Sequence, residues 1–184
     1  MILYRKANLA DVSQLVELER THVNAELGQF DPSLQGHALT AAQVTLLINQ
    51  HWIMLALDNL QIVGYVIAAK WDFFAKQALY QKIIQKLPQL DIERDGVKLA
   101  LTQTNSCQYG PIWIAEKYRG QGIFTHLVNH IADAVSSKVR YLVAYIAEDN
   151  NRSFRAHTQY ADMQVVDFFS FQQRDFYLLV RVIY

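Results

Sequence analysis

A single cysteine, Cys107, in 184 residues leaves no partner for an intramolecular disulfide and fits a reducing compartment. Net charge is missing as well. The 17 basic side chains balance 17 acidic ones, so neither a nucleic-acid surface nor a membrane surface built on net charge is expected. No apolar run approaches the roughly twenty residues that a membrane helix needs, and no N-terminal stretch has the basic-then-apolar form of a secretory signal. Internal repeats and low-complexity segments are absent. What is present is an ordinary globular balance, 52% apolar, which argues against long disorder and can bury a real core. The expectation is a cytoplasmic chain forming one domain over residues 1–184.

Along the chain the elements alternate. Ile2 to Ala7 reads as a strand. Asn8 with Asp11 three residues later forms a capping-box start for a helix carrying Val12, Leu15, Val16 and Leu18, ending near Gly28. Residues 29–39 read as a loop, and Thr40 with Gln43 makes a second capping box ahead of Val44, Leu47 and Ile48. Trp52 to Leu57 and Ile62 to Trp71 are β-rich around an Asp58-Asn59 turn, an antiparallel hairpin. Phe73 to Leu87 reads as one helix closed by Pro88, and Asp95-Gly96 as a turn within a small hairpin. Then come a strand at Ile112 to Ala115, a helix to Ser137, a strand at Arg140 to Ala147, and a helix after Asn150. Strands at Gln164 to Phe171 and Phe176 to Val182 complete the chain.

The most informative run is Tyr118-Arg119-Gly120-Gln121-Gly122-Ile123-Phe124-Thr125, between the Ile112 strand and the helix that follows. A glycine-rich turn opening a helix suits an anion. Glycine lets the backbone turn without a Cβ in the way, and the first N–H groups of a helix have no intrahelical partner. With the positive end of the helix dipole, they suit a pyrophosphate. No Lys-Ser or Lys-Thr follows the second glycine, so this is not a Walker loop. Phe124 stands where the dinucleotide fingerprint has its third glycine.

Arg119-Gly120-Gln121-Gly122-Ile123 resembles the acetyl-CoA-binding motif of the GCN5-related N-acetyltransferases (GNAT), Gln/Arg-x-x-Gly-x-Gly/Ala, with Arg119 and Gly122 matching and Phe124 departing. The backbone N–H meets the phosphates at that last position, and Phe supplies it as Gly does. About thirty residues on, Asn150-Asn151-Arg152-Ser153 resembles the family's Asn-x-x-Ser helix. The resemblance implies that Asn150 reaches an amide of the pantetheine arm and Ser153 the phosphates. The family's Tyr four residues after the Ser is His157 here, with Tyr160 one turn on. The usual Gly-Phe closing this helix is replaced by Ala161-Asp162-Met163. The order of elements matches the family's α/β (α+β) fold, a mixed, mostly antiparallel sheet of about six or seven strands flanked by helices on both faces. Residues 73–105 stand as an insertion whose role could be a lid, a substrate wall, a dimer surface or an extra packed helix.

The resemblance implies acetyl transfer from acetyl-CoA, as co-substrate, to a primary amine of a small molecule or peptide. Direct transfer in a ternary complex needs no nucleophilic residue on the enzyme. It needs an aligned, neutral amine, a donor for the developing oxyanion and an acid near the leaving thiolate. The backbone of Ile112, Trp113 and Ile114 is implied to pair with the pantetheine arm, the turn from Arg119 to Thr125 to hold the phosphates, and Tyr160 or His157 to be the leaving-group acid. His22, Glu26 and Tyr109 are candidates for the acceptor side; each could equally be a packed or exposed residue. Glu116 reads as solvating the strand end. His126 and His130 are four apart on one helix, but no Glu follows the first and no third ligand is apparent, so no metal is expected. Cys107 reads as a small buried residue. The aromatics at Phe168, Phe169, Phe171, Phe176, Tyr177 and Tyr184 crowd the last strands. If both faces there are apolar, a helix, the insertion or a second subunit covers one, making a homodimer an expectation. A catalytically weak acyl-CoA-binding module is the competing reading. A kinase-like enzyme would want a Lys or magnesium ligands beside the turn, which the flanking residues do not offer cleanly.

Overall fold

A computed structural model describes residues 1–22, 38–90, 92–94 and 97–183. The expectations for Glu26, the end of the first helix near Gly28, the loop as far as residue 37, the Asp95-Gly96 turn and Tyr184 lie outside those residues. The element order is β1 (Ile2–Lys6), α1 (Val12–His22), α2 (Ala41–Gln50), β2 (Trp52–Asp58), β3 (Gln61–Ala69), α3 (Trp71–Phe74), α4 (Ala78–Lys86), β4 (Ile92–Arg94), β5 (Val97–Leu99), β6 (Ser106–Ile114), α5 (Ile123–Val135), β7 (Tyr141–Ala147), α6 (Asn151–Tyr160), β8 (Gln164–Phe171) and β9 (Arg174–Val182). Seven strands hydrogen-bond in the order β1-β2-β3-β6-β7-β9-β8, and β4 pairs with β5 separately. The sheet is mixed: β1/β2, β7/β9 and β8/β9 are antiparallel, whereas β6 and β7 run parallel. No described helix is long and apolar enough to cross a membrane.

The chain divides into two compact units, Met1–Ile67 with Gly110–Ile131, and Ala68–Tyr109 with Ala132–Tyr184. In the first, both expected capping boxes form. The Asn8 N–H donates to Asp11 Oδ2 at 2.8 Å and Ala10 N–H donates to Asn8 Oδ1 at 2.9 Å, opening a 3-10 turn at Leu9–Asp11 that leads into α1. Asp11 also receives Arg5 through two bonds of 2.7 Å, which hold its carboxyl below the usual carboxylate range. At α2 the Thr40 N–H donates to Gln43 Oε1 at 2.9 Å and the Gln43 N–H to Thr40 Oγ1 at 3.3 Å. Asn59, at φ 55°, makes the turn between β2 and β3, two strands buried over nearly their whole length. Such continuously apolar strands are covered on both faces.

The second unit departs from the sequence reading at its start. Trp71 does not end a strand; it opens α3, and its indole N–H donates to Ser106 Oγ at 3.0 Å. The expected single helix from Phe73 to Leu87 is two, α3 and α4, followed by a 3-10 turn at Leu87–Gln89 that contains Pro88. The Phe74 ring stacks on Tyr80, centroids 4.3 Å apart. Residues six apart lie on different faces of a continuous helix, so this stack requires the break. Further on, β9 begins at Arg174 rather than Phe176, after a turn in which Gln172 and Gln173 both take positive φ, at 48° and 63°. Two such residues make the tight hairpin turn whose twist suits the flanking strands. Of the crowded aromatics, Phe169 and Phe176 are buried whereas Phe168 is exposed.

Candidate functional site

Strand β6 is longer than its apolar signature suggested, running from Ser106 rather than from Ile112. Gly110, at φ 108°, and Pro111, which has no N–H, interrupt the β pattern in sequence without ending the strand. The parallel pairing with β7 covers Ser106, Cys107 and Gln108. At the far end, Ala115 N–H donates to Val63 O at 2.9 Å. Strand alternation then turns the N–H groups of Ile112 and Ile114 to the edge opposite β3. On β3, Gly64 allows the close approach. A Cβ there would sit 3.1 Å from Trp113 O, 3.2 Å from Leu127 Cδ1 and 3.3 Å from Ile114 Cγ1.

After β6 the chain makes a 3-10 turn at Glu116–Tyr118, pinned by the Tyr118 hydroxyl donating to Asp58 Oδ2 at 2.7 Å. Arg119 Nε–H reaches back to the Ile114 carbonyl at 2.9 Å, and Gln121 Nε2 to the Lys117 carbonyl at 3.0 Å. Gly120 and Gly122 both have positive φ, 75° and 80°. A Cβ on either would meet no heavy atom within 4 Å. Glycine is therefore set here by backbone conformation and by the open space above the turn, not by packing. The helical ladder begins where His126 N–H donates to Gly122 O at 3.2 Å, so the N–H groups ahead of it form the start of a 13-residue helix. Exposed backbone, two left-handed glycines and a helix N-terminus fit a pyrophosphate-bearing ligand. Phe124 is half-buried.

The Acetyltransferase (GNAT) family model matches residues 21–161 of this sequence. The chain belongs to the GNAT acetyltransferase family. Its fold is that of the solved GNAT structures. A phosphinothricin acetyltransferase from Sinorhizobium meliloti, solved with acetyl-CoA, is 16% identical with a TM-score of 0.65, covering 99% of this chain and 88% of the other. NAA60 of Arabidopsis thaliana, also with acetyl-CoA, is 17% identical with a TM-score of 0.62, covering 100% and 99%. A ribosomal-protein-alanine N-acetyltransferase from Brucella melitensis is 17% identical with a TM-score of 0.64, covering 98% and 99%. No curated protein sequence matches the chain.

In this GNAT chain the first unit also gathers residues of α1, β3 and β6. The His22 ring stacks on Trp113 with centroids 4.5 Å apart, and Tyr65 lies 5.8 Å from the same indole. The Tyr65 hydroxyl donates to Glu19 Oε1. Glu19 is buried, 4% exposed, and burial raises its carboxyl above the usual range, opposed by the Tyr65 bond. Burial, and then the nearby Arg119 charge, lower His22. Sequence reasoning missed both Glu19 and Tyr65. The signal was available: Glu19 lies one turn after Leu15, so a carboxylate occupies the apolar stripe of an amphipathic helix.

In the second unit, Asn150 caps α6, its Oδ1 accepting from Ser153 N–H at 3.1 Å. The expected shared face of Ser153, His157 and Tyr160 divides by burial. His157 is buried, with Nδ1 2.7 Å from Ser153 O and 3.3 Å from Ser153 Oγ, whereas Tyr160 is 62% exposed. A ring nitrogen that close to a carbonyl carries the proton, which leaves Nε2 as the acceptor nitrogen. Burial pushes the imidazole down to about 4. A ring held toward its neutral form, with Nε2 as acceptor, suits His157 less to the leaving-group acid than to a base. Asp162, at φ 51°, takes a left-handed position after α6, and Met163 N–H returns to the His157 carbonyl at 3.3 Å. Tyr109 is 2% exposed and meets His157 edge-on at 5.4 Å, a packing position. Cys107 is buried and its thiol is pushed up to about 12, so it is no nucleophile. His126 and His130 each lie against the Tyr4 ring, at 5.0 and 5.3 Å.

Proposed function

We propose that this chain transfers an acetyl group from acetyl-CoA to a primary amine of a small molecule or peptide, directly, in a ternary complex. The observation that carries the proposal is the turn at Gly120 and Gly122: left-handed, open above its backbone, and opening α5 in a member of this family. When bound, acetyl-CoA supplies the thioester carbonyl as electrophile. The chain's part is to hold and orient. The turn from Arg119 to Thr125 offers backbone N–H groups and the positive helix end to phosphates. Arg119 has a second task, because its bond to the Ile114 carbonyl ties the turn to the end of β6.

The Ile112 and Ile114 N–H groups, on the edge opposite β3, are the donors proposed to pair with an extended pantetheine arm and with the thioester oxygen as charge develops there. For Asn150 and Ser153 the proposed roles, an amide contact and a phosphate contact, rest on the motif match. Tyr160 carries an exposed phenolic O–H and is the proposed proton donor to the leaving thiolate, with His157 neutral and tied to Ser153. The named relatives act on a phosphinothricin and on a ribosomal protein alanine, so both small-molecule and peptide amines are acceptors to screen. The test is release of free thiol, read by a chromogenic disulfide, when amines are added to protein and acetyl-CoA. Amine-dependent release supports transfer; bound but unconsumed acetyl-CoA across the screen supports the binding-module reading, which the neutral His157 favours.

A further inference from the structure

We propose that Glu19 receives the ammonium group of the acceptor amine and takes its proton, with Tyr65 positioning the carboxylate. This rests on the acetyl-transfer reading and deepens it, assigning the acceptor side to α1, β3 and β6 within the first unit. The geometry is a buried carboxylate beneath an aromatic cluster. Tyr65 donates to Oε1 of Glu19 and lies against Trp113, whose indole also carries the His22 ring at 4.5 Å. Among the described residues no cation pairs with Glu19, and no charged side chain acts on it. A lone buried carboxylate is costly to fold around, and an incoming cation is what compensates it. The Trp113 ring, 5.8 Å from Tyr65, offers a π face to the same charge.

The occupant is therefore a primary alkylammonium. His22 is held toward its neutral form by burial and by the nearby Arg119 charge, so the His22 ring itself adds no competing positive charge to the cluster. Trp113 belongs to β6, the strand proposed to align the thioester. Proton balance is simple: an N–H bond of R–NH3+ breaks, its electron pair stays on nitrogen, and the proton goes to Glu19 Oε2, giving a neutral carboxylic acid and a nucleophilic amine. The raised carboxyl pKa moves Glu19 toward the range a general base needs near neutral pH.

The test is NMR of the glutamate carboxyl carbons in the labelled full chain with coenzyme A present, the Glu19 signal being assigned by its loss in Glu19→Gln. Benzylamine is the probe and benzyl alcohol, of the same shape without the charge, its control. The expected result is a saturable shift of the Glu19 carbon with benzylamine alone, and a Tyr65→Phe variant whose Glu19 midpoint moves to higher pH. With an accepted amine, Glu19→Gln should lower kcat/KM by about 100-fold or more and abolish the acid limb of its pH profile, while acetyl-CoA binding stays intact. A Glu19 signal that ignores benzylamine, or follows both probes equally, overturns the inference. Failure of wild-type protein to bind acetyl-CoA would instead remove the acetyl-transfer reading.

Discussion

Replacing Gly64 by alanine should destabilise the first unit, for a reason specific to three atoms. The added Cβ would lie 3.1 Å from Trp113 O, 3.2 Å from Leu127 Cδ1 and 3.3 Å from Ile114 Cγ1. The two side-chain ends can turn aside. Trp113 O is backbone in a strand whose next residue but one donates through its N–H to Val63, so relief requires β3 and β6 to separate by a few tenths of an ångström. Overpacking of this kind costs about 1–3 kcal/mol. Replacing glycine in a strand returns about 0.4–1 kcal/mol by reducing the freedom of the unfolded chain. The net is about 1–2 kcal/mol, equivalent for a chain of this size to a fall of roughly 2–8 °C in Tm. Urea unfolding followed by tryptophan fluorescence measures it, with the slope unchanged and the midpoint lowered. The same shift displaces Trp113, so affinity for acetyl-CoA should fall as well. A variant as stable as wild type, or more stable, would refute the reasoning, because open space at Gly64 would give that result.

Three other substitutions probe separate features. Asp11→Asn weakens the doubly bonded Arg5 pair and should lower stability by about 2 kcal/mol, with the loss vanishing in acid as the wild-type carboxylate itself protonates. His157, pushed down to about 4 from an ordinary 6.5, is neutral when folded and protonated when unfolded between those values. Wild-type stability should therefore fall by about 3 kcal/mol as pH drops from 6.5 to 4, and a His157→Gln variant should lack that slope in denaturant titrations. Glu19 has the opposite sign: its raised carboxyl favours the fold below the unfolded value, and that advantage is lost as pH rises through the folded one. Glu19→Gln should thus gain stability relative to wild type on going from acid to mildly alkaline buffer, read by thermal melts at both ends.

Both capping boxes, the β2–β3 hairpin, the strand–helix–strand order around α5, the start of α6 and the bounds of β8 were legible because each is fixed by local chemistry. Asn8, Thr40 and the glycine turn carry their own backbone partners. Tertiary contacts decided the rest. The Phe74 stack on Tyr80 breaks a stretch that helix propensity would have kept whole, and β6 continues through Gly110 and Pro111 because pairing with its neighbours overrides two poor strand formers. At the site, the turn at Gly120 and Gly122 was readable as a motif. Glu19 showed only as a carboxylate on the apolar stripe of α1, and its pairing with Tyr65, 46 residues away, is made by the fold. His157 was visible as a candidate but its burial was not, and burial is what lowers its affinity for a proton.

Isothermal titration with acetyl-CoA, comparing wild type with Gly122→Val, tests the central claim most directly. A Cβ at position 122 meets no heavy atom within 4 Å, so the folding cost is chiefly that of a left-handed β-branched residue, at least about 1–2 kcal/mol. Binding to wild type should be saturable and should weaken by tenfold or more in the folded variant. No binding to wild type at millimolar acetyl-CoA, or equal binding to both proteins, would contradict it.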